Sequence, residues 1–267
     1  MLAKRLLVVI FLIPIFVTLF FYGGVPYAVV INLIMGVAAW EYCRIFRRGE
    51  YSPLTIITIV SVLALITSRA IWGFAFSDLI ITLIVLGVMA AEVVQYERKD
   101  CHAASDFAIT LAGIFYIGWI GAYFISVRNL PDGQWWGMLI TPAIWFADGA
   151  AFTIGRHFGR HKMAPVVSPN KTWEGYLGGV IASGLFTALL AWLWHMRAPV
   201  ITPERGLLLG LAISAVSPLG DLGESMIKRQ FGVKDSSKII PGHGGMLDRL
   251  DSWLWAMAIG YYLVKYL

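Results

Sequence analysis

Apolar runs long enough to cross a lipid bilayer divide this sequence almost from end to end. They lie at about 6–22, 26–43, 53–69, 77–95, 106–127, 136–154, 175–195, 206–223 and 250–266. A spanning helix needs about 20 mostly apolar residues, within a range of about 17–25. The third run, SPLTIITIVSVLALITS, is short and rich in Ser and Thr, and Pro218 interrupts the eighth. The expected fold is therefore all-α: a polytopic integral membrane protein with about nine transmembrane helices. Composition agrees. Hydrophobic residues make up 58% and charged residues 14%, against about 25% charged in a typical soluble domain. The N-terminal MLAKRLLVVIFLIPIFVTLFF has the basic start and apolar run of a signal peptide. No small-x-small cleavage site follows it and many apolar runs do, so it reads as a first span that stays.

Charge sets the orientation, because cytoplasmic loops of membrane proteins carry an excess of Lys and Arg. With the N-terminus inside, sixteen of the 21 basic residues fall in inside segments, and only Arg69, Arg128, Arg197, Arg205 and Lys265 fall outside. The N-terminus is thus expected in the cytoplasm. The net charge of +5 is read as topology signal and headgroup contact, not as a nucleic-acid surface. Cys43 and Cys101 lack the spacing of a zinc site or a disulfide framework. Two inside loops are long, at about 155–174 and 224–249, and long ordered loops tend to be functional. The expected division is 1–105 as scaffold and lipid-access helices, and 106–267 as a catalytic membrane region.

Both long loops carry chemistry. In WFADGAAFTIGRHFGRHKMAPVVSPNKTWEG, Asp148 sits just inside the end of the sixth run. A carboxylate at membrane depth costs about 2.5–3.5 kcal/mol by insertion scales and so needs a partner or a purpose. The SPNKTWEG stretch offers Ser168, Asn170, Lys171 and Thr172, hydroxyl donors and a point charge suited to a polyphosphate. A basic loop against anionic lipid, followed by a Ser-Pro turn and a helix cap, would look the same. His157 and His161 are four apart, but no third ligand is evident, and they read as surface histidines.

The second loop is SPLGDLGESMIKRQFGVKDSSKIIPGHGGMLDRLDSW. On a helix, Asp221, Ser225 and Lys228 recur at i, i+4 and i+7 on one face. Pro218 and Gly220 are expected to loosen that helix just before Asp221. PGHGG allows close backbone approach and positive φ. Asp248 and Asp251 open the last run at i, i+3, where a helix N-terminus also favours carboxylates. Asp148, Asp221, Asp235, Asp248 and Asp251 exceed what topology requires, since acidic residues contribute little to orientation. Hard oxygen ligands without thiolates select Mg²⁺ or a similar ion. Lys228, Arg229, Lys234 and Arg249 supply phosphate contacts. Carboxylates for metal beside cations for phosphate describe metal-assisted phosphoryl or nucleotidyl transfer.

The segment Ser225–Asp251 resembles the signature of the phosphatidate cytidylyltransferases, or CDP-diacylglycerol synthases. It reads Ser-x-x-Lys-Arg, four residues, Lys-Asp, then Pro-x-His-Gly-Gly-x-x-Asp-Arg-x-Asp. FYIGWIGAYFISVR, DGAAFTIGRHFGRHK and SPNKTWEG also resemble that family, so the likeness covers about Phe115 to Trp255. The first four runs resemble it only in being apolar.

The resemblance implies a reaction in which CTP and phosphatidic acid give CDP-diacylglycerol and pyrophosphate. It implies Mg²⁺, with K⁺ as a second cation. Matching positions make Asp221 and Asp248 metal ligands, with Asp148 beside them. Ser225, Lys228 and Arg229 would lie at the phosphates, and Ser168, Asn170, Lys171 and Thr172 at nucleotide or lipid phosphate. Lys234, Asp235 and Arg249 join the substrate set, and His243 and Asp251 the catalytic one. His243 reads equally as a turn histidine and Asp251 as a helix cap. The setting expected is a bacterial cytoplasmic membrane with the site facing the cytoplasm, and a homodimer. Two other readings stay open: a CTP-dependent polyprenol or phytol kinase, and an ion-coupled transporter built on intramembrane Asp residues and a Pro-broken helix.

Overall fold

The structure is a computed structural model that describes residue 14 and residues 17–98, 102–240, 242 and 244–267. Among these residues the elements are α1 (Gly24–Phe46), α2 (Thr55–Trp72), α3 (Ser77–Glu97) and α4 (Ala103–Gly113), which runs through a π-helical stretch, Ile114–Trp119, towards α5 (Tyr123–Arg128). Then come α6 (Gly133–Phe158), the strands β1 (Lys162–Ala164) and β2 (Ser168–Thr172), α7 (Trp173–Trp194), α8 (Pro203–Gln230) and α9 (Leu247–Tyr266). The all-α expectation holds, with one two-stranded antiparallel hairpin added.

Seven of these helical stretches are long and apolar enough to cross a membrane: α1, α2, α3, Ala103–Arg128, α6, α7 and α8. The first expected span, 6–22, lies largely outside the described residues. The ninth is present as α9, but Asp248, Arg249, Asp251 and Lys265 lie within it, so only its middle is uniformly apolar. The chain is an integral membrane protein of the polytopic all-α kind.

Packing follows the logic of a lipid solvent. On α1, Val25, Val29 and Leu33 recur every fourth residue and face outward, while Tyr27, Ile31, Met35 and Ala38 are buried. Both faces are apolar, so apolarity alone does not choose the inner one. The polar groups do, since they turn away from hydrocarbon: Glu41, Thr58, Arg69 and Asp106 are all buried.

The chain forms two compact units. The first comprises Met1–Ser126 and Ile227–Leu250. Its core sets Leu54, Leu65, Val88 and Ile114 against one another. Local polar ties fix its turns: the Ser52 amide donates to Asp106 Oδ1 at 2.8 Å and the Leu54 amide to Thr110 Oγ1 at 3.1 Å. The second comprises Val127–Met226 and Asp251–Leu267. There α6 and α7 approach closely, because Gly175 and Gly179 present no side chain: a Cβ on Gly179 would stand 2.8 Å from the Ala147 carbonyl oxygen. Small residues four apart are how helices come together in lipid.

One local expectation is corrected. The helix before Asp221 is not loosened: α8 runs unbroken from Pro203 to Gln230, with Pro218 inside it. Neighbouring donors serve the carbonyls near the proline, the Tyr176 hydroxyl reaching Ala215 O at 3.0 Å and Lys171 Nζ reaching Pro218 O at 3.5 Å. Such substitutes are what let Pro persist in membrane helices. The first long loop contains regular structure. Lys162 pairs with Thr172 and Ala164 with Ser168 in the β1–β2 hairpin.

Candidate functional site

In the second unit, α6, the hairpin and α8 together line a cavity of about 720 Å³. Asp148 enters it from α6, Asn170 and Lys171 from β2, and Asp221 from α8, with Arg156 and Lys162 also on its wall. Lys171 Nζ stands 2.7 Å from Asp221 Oδ2. The Ser225 hydroxyl donates to Asp221 Oδ1 at 3.2 Å, one turn along α8. The i, i+4 relation of Asp221 and Ser225 expected from the sequence is therefore real and bonded. Thr172, expected at a phosphate, is the N-cap of α7, and its Oγ1 accepts from the Gly175 amide at 3.2 Å. Ser168 opens β2 and is half-buried.

The two histidines of this segment are not brought together as ligands. The helix ends at Phe158, so the shared face is lost before His161. His157 Nδ1 lies 2.8 Å from the Thr153 carbonyl. His161 Nδ1 lies 2.5 Å from Glu174 Oε1, and the Arg160 and His161 amides donate to the same carboxylate. Glu174 thereby ties the α6–β1 turn to the first turn of α7.

In the first unit, Lys228 at the end of α8 pairs with Asp248 at the start of α9, Nζ to Oδ1 at 2.5 Å, with side chains 10% and 6% exposed. Asp248 Oδ2 accepts from the Ser236 amide at 2.9 Å and the Gly245 amide at 2.7 Å, and the Ser236 hydroxyl stands 2.8 Å away. Burial pushes the Asp248 carboxyl up, but the Lys228 ammonium and the Gly245 and Ser236 amides outweigh it and hold it below the usual carboxylate range.

The rest of the expected set is more open. Arg229, Lys234, Asp235 and Arg249 are exposed. Asp251 lies in the second turn of α9, and its Oδ1 accepts the Ser252 amide at 2.5 Å. His243 lies outside the described residues. Among the described residues, no three His, Cys, Asp or Glu side chains form a ready metal cluster.

The sequence reading missed Glu41, which it passed over as part of an apolar scaffold. Glu41 is fully buried on α1. It accepts from the Ser237 hydroxyl at 2.5 Å and the Met246 amide at 3.0 Å on Oε1, and from the Leu247 amide at 2.7 Å on Oε2. The Ser236 hydroxyl lies 3.1 Å from Oε2. A signal was present: a carboxylate inside a spanning run marks a functional site by default, the same argument that singled out Asp148.

Comparison with known proteins decides the family. Residues 3–267 match the cytidylyltransferase family. The chain belongs to that family. It is 34% identical over 269 residues to a phosphatidate cytidylyltransferase of a Synechocystis species, covering 91% of this chain and 89% of the relative. It is 33% identical over 275 residues to that of Bacillus subtilis, covering 98% and 97%. A Staphylococcus epidermidis phosphatidate cytidylyltransferase is 32% identical over 259 residues, with 96% of each chain covered. The match extends through the first four helices, which the motif resemblance alone did not reach.

Proposed function

We propose that this chain transfers the cytidylyl group of CTP to phosphatidic acid, giving CDP-diacylglycerol and pyrophosphate. The observation that carries the reading is the second-unit cavity, lined by Asp148 and by the paired Asp221 and Lys171, in a chain of the cytidylyltransferase family. A phosphatidate oxygen attacks the α-phosphorus of CTP, and the bond from that phosphorus to the bridging oxygen breaks to release pyrophosphate. The nucleophile is already an anion, so the demand is to bring two anions together, not to remove a proton.

The donors fit a hard divalent cation. Mg²⁺ binds through one or two carboxylates plus substrate phosphates and waters, not through an all-protein cage, and the cavity is lined by two carboxylates and Asn170. Asp148 and Asp221 would hold it, with K⁺ as a second cation. When bound, the cation polarises phosphoryl oxygens and neutralises the charge that develops on them. The chain's own cations do the rest. Lys171, Arg156 and Lys162 draw the polyphosphate into the cavity and stabilise the departing pyrophosphate. Lys171, paired to Asp221, also keeps that carboxylate oriented. His243 is proposed to hydrogen-bond a phosphate. The protein is read as lying in a bacterial cytoplasmic membrane, with this end of α6 and α8 facing the cytoplasm, where the basic loops fall. There CTP and a lipid headgroup are both within reach. A homodimer completes the proposal.

The test is purified protein with phosphatidic acid, Mg²⁺ and CTP labelled at the α or the γ position. Label from the α position should enter the lipid, with pyrophosphate released. Label from the γ position entering an alcohol acceptor would indicate a kinase instead, and ion flux without CTP would indicate a transporter.

A further inference from the structure

We infer that Glu41 is a positioning residue for the Lys228–Asp248 pair, holding the loop 236–247 from the opposite side and, through Ser236, setting where the Asp248 carboxylate stands. The inference rests on the cytidylyl-transfer reading for its kinetic test, though not for its structural one.

The argument begins with the loop. Among the described residues between α8 and α9 there is little regular structure, only an isolated bridge of Ile240 to Gly244. Gly242 and Gly244 take positive φ, 80° and 85°. Such a segment has no ladder to hold it, and its amides need acceptors. Two carboxylates provide them. Asp248 takes the amides of Ser236 and Gly245. Glu41 takes the hydroxyl of Ser237 near one end of the loop and the amides of Met246 and Leu247 at the other.

Ser236 joins the two carboxylates. Its hydroxyl lies 2.8 Å from Asp248 Oδ2 and 3.1 Å from Glu41 Oε2, and its one proton serves one of them at a time. The backbone between is packed to its limit. A Cβ on Gly245 would stand 2.0 Å from Ser236 Oγ and 2.6 and 2.7 Å from the Glu41 oxygens. The Gly245 amide reaches Asp248 only because the chain passes this close. Glu41 comes from α1, far away in sequence, so it ties the loop to a helix outside the loop's own turns.

Glutamine at 41 keeps the size and shape but turns one acceptor into a donor facing donors. Steady-state kinetics of the purified full chain with CTP and phosphatidic acid should show Glu41→Gln lowering kcat by about 10–100-fold with the KM for CTP changed less than about threefold, the pattern of misplaced catalytic groups. Ser236→Ala should lower kcat in the same direction by less, since its amide still reaches Asp248. Glu41→Asp, which keeps the carboxylate, should recover part of the loss. A kcat within about twofold of wild type for Glu41→Gln, or a loss confined to KM or to thermal stability, overturns the inference. Where Glu41→Gln does not fold, Ser236→Ala decides by the same criteria. If the wild-type chain forms no liponucleotide, the reaction reading fails and amide hydrogen exchange decides this one. Faster exchange at Ser236 and Gly245 in the Ser236→Ala variant supports it, and unchanged exchange overturns it.

Discussion

The Lys228–Asp248 pair allows stability and activity to be separated. With the two charged atoms 2.5 Å apart and both side chains nearly buried, the gross attraction is about 7 kcal/mol at an effective dielectric constant of about 20. Desolvation of the two groups offsets most of that. Breaking such a pair from one side nevertheless costs about 3–5 kcal/mol, because the remaining charge keeps its burial and loses its partner. Asp248→Ala also removes the acceptor of the Ser236 and Gly245 amides, at about 1–3 kcal/mol for each that water cannot reach. Together these come to at least about 5 kcal/mol, which is about 10 °C or more in thermal midpoint for a chain of this length. Adding Lys228→Met should recover at least about half of that, since an apolar replacement of a buried pair is often neutral. Activity should not follow. If both residues act on the phosphates, Asp248→Ala and the double variant should each transfer at least about 10³-fold more slowly than wild type, the scale on which groups that stabilise the transition state are lost. The assays are tryptophan fluorescence on heating in detergent and α-label transfer. A double variant no more stable than Asp248→Ala would refute the buried-pair reasoning. A double variant that transfers at near wild-type rate would make the pair purely structural.

Asp221→Ala should abolish transfer at saturating Mg²⁺ while the protein still inserts into membranes, which fractionation and the α-label assay check together. Asp251→Ala should be milder than either, since its carboxylate bonds the next amide; a complete loss of activity there would place it among the ligands. Thr172→Val removes the α7 N-cap and should lower stability by about 0.5–2 kcal/mol, read as a drop in thermal midpoint. Because the Asp248 carboxyl is held below its ordinary value, its contribution to stability is present above about pH 4. It is lost as pH falls through the depressed value, so the difference in midpoint between wild type and Asp248→Ala should hold from about pH 5 to 7 and shrink below about pH 4.

The fold was legible because lipid makes the rule simple. A run of about 20 apolar residues has one stable form across a bilayer, and the described helices fall where the runs do. What failed was local. Pro218 signals a break by its missing N–H, but whether a helix breaks depends on who serves the nearby carbonyls. Here Tyr176 and Lys171 serve Ala215 and Pro218, and neither partner can be read from the sequence around Pro218. The histidines at 157 and 161 are exposed, as read from the sequence. Their spacing holds only on a continuous helix, and the turn tied by Glu174 ends it between them.

The site divides along the same line. Residue types named the chemistry, and Asp221, Ser225 and Lys171 do lie together, as do Lys228 and Asp248. What their types could not reveal is how a loop of glycines, serines and exposed charges comes to hold a fixed shape. Hydrophobic burial does little for it, since Lys234, Asp235, Lys238 and Gly242 are exposed. Its amides must find acceptors, and two carboxylates are the groups that can each take several at once. One of them, Asp248, is in the signature. The other had to come from elsewhere in the chain, and in a membrane protein the places to look are few, because a carboxylate in an apolar run persists only where something compensates it. Glu41 satisfies both needs in one contact. The loop gains an anchor on a rigid helix, and the buried carboxylate gains its donors. A signature motif of this kind is therefore incomplete in itself, and the acid that completes it lies about 200 residues upstream in a helix that composition alone would call a lipid anchor.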